Sequence, residues 1–134
     1  MSSGCTTAYV LIHVEYVLLW FQRQVSCTAD DLKAFVSAKC NEVIVFSMNG
    51  CPYCVEAVKS LTAAGKSPVE VKVTGAGSAK PSALASVLEA TTKQDSYPYV
   101  FLKGRFVGGC NDGPEDWMGV KSIIKRGELA KYLQ

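Results

Sequence analysis

Cys51-Pro52-Tyr53-Cys54 is the part of the chain best equipped for chemistry. Two thiols separated by two residues can close a small disulfide and exchange it with another, or supply half of a tetrahedral zinc site. The apolar run Val43-Ile44-Val45-Phe46 precedes the pair and an amphipathic stretch follows it, so the first sulfur falls where a strand gives way to a helix. Free N–H groups and the dipole at a helix N-terminus favour a thiolate at Cys51. Cys54, one turn further in, is better placed to resolve a mixed disulfide than to attack first. If the Cys51 pKa fell about three units from roughly 8.5, the thiolate fraction at pH 7 would rise roughly thirtyfold, but nucleophilicity would fall by a similar factor at a Brønsted slope near 0.5. The gain is therefore chiefly in Cys51 as a leaving group. A structural zinc site needs four ligands, and His13 and the other cysteines offer no second pair at zinc spacing.

The elements that must hold this pair can be read from local patterns. Thr28 followed by Asp31 is a capping box, and Leu32, Phe35 and Val36 share a face, which predicts a helix over about 28–39. Residues 42–47 carry four apolar side chains in succession, as a strand buried on both faces does. Pro52 suits a first helical turn, where its missing N–H is no loss, and Cys54, Val58 and Leu61 share a face until Gly65 ends the helix. Val69, Val71 and Val73 alternate with polar residues, residues 75–78 form a loop, and Leu84, Val87, Leu88 and Thr91 mark another helix. Residues 99–102 and 105–107 read as short strands joined by a Lys103-Gly104 hairpin. A final helical stretch carries Trp117, Val120, Ile123 and Ile124, with Leu129, Tyr132 and Leu133 after Gly127. This order predicts an α/β domain with a mixed sheet and helices on both faces.

With 134 residues, 49% of them hydrophobic, the chain suits one domain around one core. Fourteen Lys and Arg against 12 Asp and Glu leave a charge of +2, and the basic residues are scattered, so no nucleic-acid partner is expected. Six cysteines (Cys5, Cys27, Cys40, Cys51, Cys54 and Cys110) are too sparse for a stapled secreted scaffold. Mostly reduced thiols around one redox pair are expected, in a reducing compartment such as the cytoplasm. Residues 8–21 are apolar or aromatic apart from His13 and Glu15. They are too few to span a bilayer as a helix, which needs about 20 residues. No basic residue precedes them, as one would in a secretory signal, and Arg23 is the only arginine up to residue 26. Residues 1–26 are set apart as an extension of unknown role, with organellar or secretory targeting left open, and residues 27–134 as the domain.

Two further groups join the cysteine pair: Tyr97-Pro98 at the head of an apolar strand, and Gly108-Gly109-Cys110-Asn111-Asp112 just beyond it. In this order on these elements, the three motifs resemble those of the dithiol glutaredoxins over about residues 28–134. Gln94, four positions before Pro98, falls where glutaredoxins place a glutathione-binding glutamine. The resemblance implies a thioredoxin-like fold with a four-stranded mixed sheet. It implies a glutathione-dependent thiol–disulfide oxidoreductase working through Cys51 and Cys54, with glutathione as co-substrate and no metal. Tyr53, Gln94, Tyr97, Pro98, Gly109, Cys110, Asn111 and Asp112 are then the glutathione-binding residues. Pro98 would be cis and present the backbone of Tyr97 to the ligand, and Gly109 would let the ligand approach the backbone closely. The N–H groups of Asn111 and Asp112 would bind the γ-glutamyl carboxylate at the start of the last helix, with the Asp112 side chain on the ammonium group. Partners are glutathione and disulfide-containing or glutathionylated proteins, met by a monomer.

Plainer readings stand beside these. Pro98 is also compatible with a trans proline opening a strand, and the glycine stretch with a turn capped by Asn111 or Asp112. Cys110 reads as a regulatory thiol or as a small buried hydrophobe, and Cys5, Cys27 and Cys40 as the latter. An iron–sulfur or metal carrier using Cys51 with glutathione is the alternative function, whereas a thioredoxin would carry Trp where this chain has Gly50. The chain also departs from the glutaredoxin pattern. Met48 stands where a lysine commonly helps to hold the thiolate and the glycine carboxylate of glutathione, Asp95 where a basic residue is common, Tyr97 where a small β-branched residue is usual, and Asn111 where serine or aspartate is frequent. Extra residues after Asp112, including Gly113-Pro114, either lengthen the last helix or add a loop beside the site.

Overall fold

The structure, a computed structural model, describes residues 27–134, and the extension assigned to residues 1–26 lies outside them. Helix α1 (Ala29–Ser37) opens on the capping box: Asp31 N–H donates to Thr28 Oγ1 at 3.1 Å and Thr28 N–H to Asp31 Oδ2 at 3.0 Å. Strand β1 (Val43–Ser47) is buried at every position. After it come α2 (Pro52–Ala63), β2 (Val69–Lys72), α3 (Ala83–Thr92), β3 (Tyr99–Leu102), β4 (Arg105–Gly108), α4 (Val120–Lys125) and α5 (Leu129–Tyr132). The sheet order is β2-β1-β3-β4, with β1 parallel to β2 and the other two pairings antiparallel. This is the expected four-stranded mixed sheet of a thioredoxin-like fold.

The two-residue period of a strand decides which helices each side chain meets. Ile44 and Phe46 of β1 and Tyr99 and Phe101 of β3 pack with Leu32 and Val36 of α1 and Leu84 and Leu88 of α3. Val43, Val45, Val100 and Leu102 point the other way, onto Leu61 of α2 and Val120 and Ile123 of α4. Two cores therefore share one sheet, and each fully buried Ile, Leu or Phe contributes about 1.5–3 kcal/mol. Lys103 and Gly104, at φ 49° and 83°, turn the β3–β4 hairpin with positive φ at both positions, the type I′ combination that matches strand twist. Among the described residues no helix is long and apolar enough to cross a membrane.

The end of the chain corrects one expectation. Trp117 does not lie in the last long helix, because α4 begins only at Val120 and the added residues form a loop. Gly109 N–H donates to Asp112 O at 2.7 Å and Gly119 N–H to Val107 O at 2.9 Å, so the loop doubles back onto β4. Its outer end is pinned by Trp117, which stacks on Tyr132 with centroids 5.5 Å apart, while the Arg105 guanidinium lies over both rings at 4.9 and 5.0 Å. Arg126 Nη2 also donates to the Trp117 carbonyl at 2.8 Å.

This doubling back leaves no room for a side chain at two glycines. A Cβ on Gly108 (φ +97°) would stand 2.8 Å from the Asp112 carbonyl oxygen, and one on Gly119 (φ +114°) would overlap the carbonyl of Asn111. Gly119→Ala is therefore expected to destabilise the full chain by about 3 kcal/mol or more, through backbone strain and overpacking together. Gly127→Ala, at φ +72° with nothing within 4 Å of the added Cβ, should cost only about 1–2 kcal/mol. Urea unfolding of both variants checks the difference, and equal losses would show that the loop yields to the added methyl.

Candidate active site

Cys51 is the N-cap of α2 and Pro52 its first residue. Cys51 and Cys54 are joined as a disulfide, their Cα atoms 5.3 Å apart. The Cys54 N–H points at Cys51 Sγ at 3.1 Å, one of the helix-start donors that would stabilise a thiolate there. Cys51 keeps 9% of its surface exposed whereas Cys54 keeps none, so an external sulfur can approach only Cys51. The Tyr97–Pro98 peptide bond is cis, and the Tyr97 carbonyl oxygen lies 3.9 Å from Cys51 Sγ. Tyr53 and Val55 of α2 remain 57% and 55% exposed. Val55 was not anticipated as an exposed apolar residue beside the pair.

The glycine stretch lies against the cis-proline turn: a Cβ on Gly109 would stand 3.2 Å from the Pro98 carbonyl oxygen. Asn111 and Asp112 are not at the start of the last helix, as expected, but upstream of the added loop. The first N–H groups of α4, on Val120 and Lys121, donate at 2.9 Å to the carbonyls of Gly109 and Cys110, and Ser122 Oγ donates to the Asn111 carbonyl at 3.2 Å. The loop's own carbonyls thus take up the first two N–H groups of α4. The backbone N–H groups of Asn111 and Asp112 donate to no backbone carbonyl among the described residues.

Gln94, expected on the ligand, is turned inward. Its Nε2 donates to the carbonyls of Ser96 and Pro98 at 2.8 and 2.9 Å. The Tyr97 ring meets Tyr99 edge-on at 4.9 Å and packs against the core beneath α1 and α3. Burial, and then the charge of Glu89, push the Tyr97 phenol up to about 12. Cys110 is a free, buried thiol whose pKa is raised by burial first and by Glu56 second, which suits the small-hydrophobe reading. Glu56 and Lys121, far apart in sequence, form an exposed ion pair between α2 and α4. The hydrogen bond from Lys121 holds the Glu56 carboxyl below its usual range. No local signal marks that pair. Met48, just after β1, is half-buried. Among the described residues no group of three or more His, Cys, Asp or Glu side chains is placed to hold a metal ion.

Comparison with known proteins points one way. The family model for glutaredoxin matches residues 43–107. Chloroplastic glutaredoxin-C4 of Oryza sativa subsp. japonica is 39% identical over 85 residues, covering 62% of this chain and 59% of that protein. Glutaredoxin of Ricinus communis is 38% identical over 73 residues, covering 53% of this chain and 68% of the relative. The crystal structure of oxidized glutaredoxin 2 from Chlamydomonas reinhardtii superposes with a TM-score of 0.59 at 31% identity, over 79% of this chain and 90% of the other. The chain belongs to the glutaredoxin family. It spans about three fifths of the length of the rice glutaredoxin.

In this glutaredoxin the three motifs converge: the disulfide, the cis-proline turn and the Gly109 loop form adjoining surfaces, while Gln94 and the Tyr97 ring stand behind them. Exposure and helix placement both favour reaction at Cys51, whereas the buried Cys110 thiol is held protonated. In reduced protein at pH 7, iodoacetamide is expected to modify Cys51 at least about tenfold faster than Cys54 or Cys110. Peptide mass spectrometry over time checks this, and comparable rates at Cys110 would show that the loop opens readily.

Proposed function

We propose that the protein is a glutathione-dependent thiol–disulfide oxidoreductase that reduces protein disulfides and glutathione mixed disulfides through Cys51 and Cys54. One observation carries the reading: Cys51 caps α2 and is reachable, while Cys54 is buried directly behind it. The Cys51 thiolate attacks one sulfur of a protein disulfide, forming a mixed disulfide as the other sulfur leaves as a thiolate. Cys54, deprotonated, attacks Cys51, releases the second substrate thiol and closes the internal disulfide. Glutaredoxins use glutathione, and two molecules of it reopen that disulfide and depart as glutathione disulfide. On a glutathionylated protein, Cys51 takes the glutathionyl group and a second glutathione removes it, so Cys54 is not required.

In this reading the tripeptide lies along the backbone of Tyr97, Pro98 and Gly109, with Tyr53 and Cys110 beside it. The N–H groups of Asn111 and Asp112 take its γ-glutamyl carboxylate, and the Asp112 carboxylate takes its ammonium. The protein works as a monomer, in a reducing compartment, on disulfide-containing or glutathionylated proteins.

Two outcomes test the proposal. Cys51→Ser should abolish all exchange, whereas Cys54→Ser should lose the reduction of protein disulfides but keep the removal of glutathione from a glutathionylated peptide. Equal loss in both variants would sink the assignment. Met48→Lys should restore a cation beside both the thiolate and the glycine carboxylate. An exposed pair is worth about 0.2–1 kcal/mol, so glutathione should bind roughly two to five times more tightly and the Cys51 pKa should fall, with both gains shrinking as salt rises. Thiolate absorbance titrated at low and high salt reads the change, and unchanged values would mean that another cation already serves.

A further inference from the structure

We infer that Gln94 is a positioning residue, which sets the separation between the Tyr97–Pro98 turn and the Gly109 loop and does not itself bind the tripeptide. The inference rests on the glutathione reading above. Gln94 lies just beyond α3 and is 7% exposed. Its backbone N–H donates to Thr92 Oγ1 at 3.2 Å, and its carbonyl accepts the Tyr99 hydroxyl at 2.6 Å. Both hydrogens of its side-chain nitrogen are spoken for, by the carbonyls of Ser96 and Pro98. The reverse orientation of the carboxamide would set Oε1 against those two carbonyl oxygens, so the donors must face them.

The same nitrogen reaches the opposite wall. A Cβ on Gly109 would stand 3.6 Å from Nε2 and 3.2 Å from the Pro98 carbonyl oxygen that Nε2 holds. The carboxamide therefore fills the space where the two backbone segments meet, and the carbonyls it anchors lie on either side of Tyr97, whose own carbonyl faces Cys51 Sγ. Its remaining atom, Oε1, is buried without a donor among the described residues. A buried acceptor left unpaired is unfavourable, and an apolar side chain of the same length would avoid that penalty. What the amide adds over such a side chain is the pair of donors that fix Ser96 and Pro98. Neither donor touches a sulfur. Losing them should shift the ligand's wall while leaving the Cys51 thiolate as it is.

Steady-state kinetics with glutathione and a glutathionylated peptide, on full-length wild type, Gln94→Met and Gln94→Glu, tests this. Gln94→Met keeps the length and removes both donors; its KM for the glutathionylated peptide should rise about fivefold or more, with kcat within about twofold of wild type and the Cys51 titration unmoved. In Gln94→Glu the carboxyl faces two carbonyl oxygens in buried surroundings, so it favours the protonated form and can give back one hydrogen bond. Its KM relative to wild type should fall as the pH is lowered from 8 to 6, while that of Gln94→Met stays flat. An unchanged KM in Gln94→Met, or a loss confined to kcat or to thermal stability, overturns the inference. If Gln94→Met does not fold, a flat pH profile of relative KM in Gln94→Glu overturns it alone. Absence of glutathione-dependent turnover in the wild type is a separate result, which overturns the proposed function itself.

Discussion

The hydrogen bond from the Cys54 N–H to Cys51 Sγ places a sulfur on the free donors that begin α2, and the rest of the structure serves to hold that helix start in position. Pro52 takes the first turn without wasting a donor. Ala57 and Leu61 are fully buried, and Leu61 packs with Val43, Val45 and Val100, so the helix is anchored by apolar contact along its length. The exposed Glu56–Lys121 pair adds orientation between α2 and α4 but little energy. On the other side, β1 is buried on both faces and ends at Ser47, whose carbonyl accepts the Val73 N–H at 2.8 Å and whose hydroxyl donates to Glu70 Oε2 at 2.9 Å. From that fixed point Met48, Asn49 and Gly50, the last at φ +72°, carry the chain to the sulfur.

The surfaces beside the sulfur that the structure brings together are mostly backbone: the Tyr97 carbonyl, and behind it the Pro98 carbonyl against Gly109. Backbone groups depend on where the chain runs more than on which side chain it carries. The Tyr97 ring is accordingly free to pack on the core behind the turn. The cost moves to the side chains that fix the chain's path. Thr92, Gln94 and Tyr99 form one connected set of hydrogen bonds under the turn, and buried polar networks of this kind are strong only when their members stay paired. The glycines of the doubled-back loop do the same work by absence, since an added methyl at Gly108 or Gly119 meets backbone.

The extra residues after Asp112 change how the last helix is used. Their loop returns the chain so that the carbonyls of Gly109 and Cys110 cap α4. Two of the donors that begin the helix are therefore satisfied by the protein's own backbone. Arg105, Trp117 and Tyr132 hold the far end of the loop by stacking.

The features legible in the sequence were those governed by near neighbours. Thr28 and Asp31 cap α1 across three residues, Lys103-Gly104 turns a two-residue hairpin, the unbroken apolar run of β1 marks a strand buried on both faces, and Cys51-Pro52 starts a helix. Each is a rule about one turn or one pleat, so the chain alone determines it. The strand order, the capping of α4 by Gly109 and Cys110, the Glu56–Lys121 pair and the inward turn of Gln94 were decided only by the tertiary structure. In each of these the partner comes from another element or from across a turn. Whether Gln94 faces a ligand or the Pro98 carbonyl depends on how close the Gly109 loop has come, and packing sets that distance.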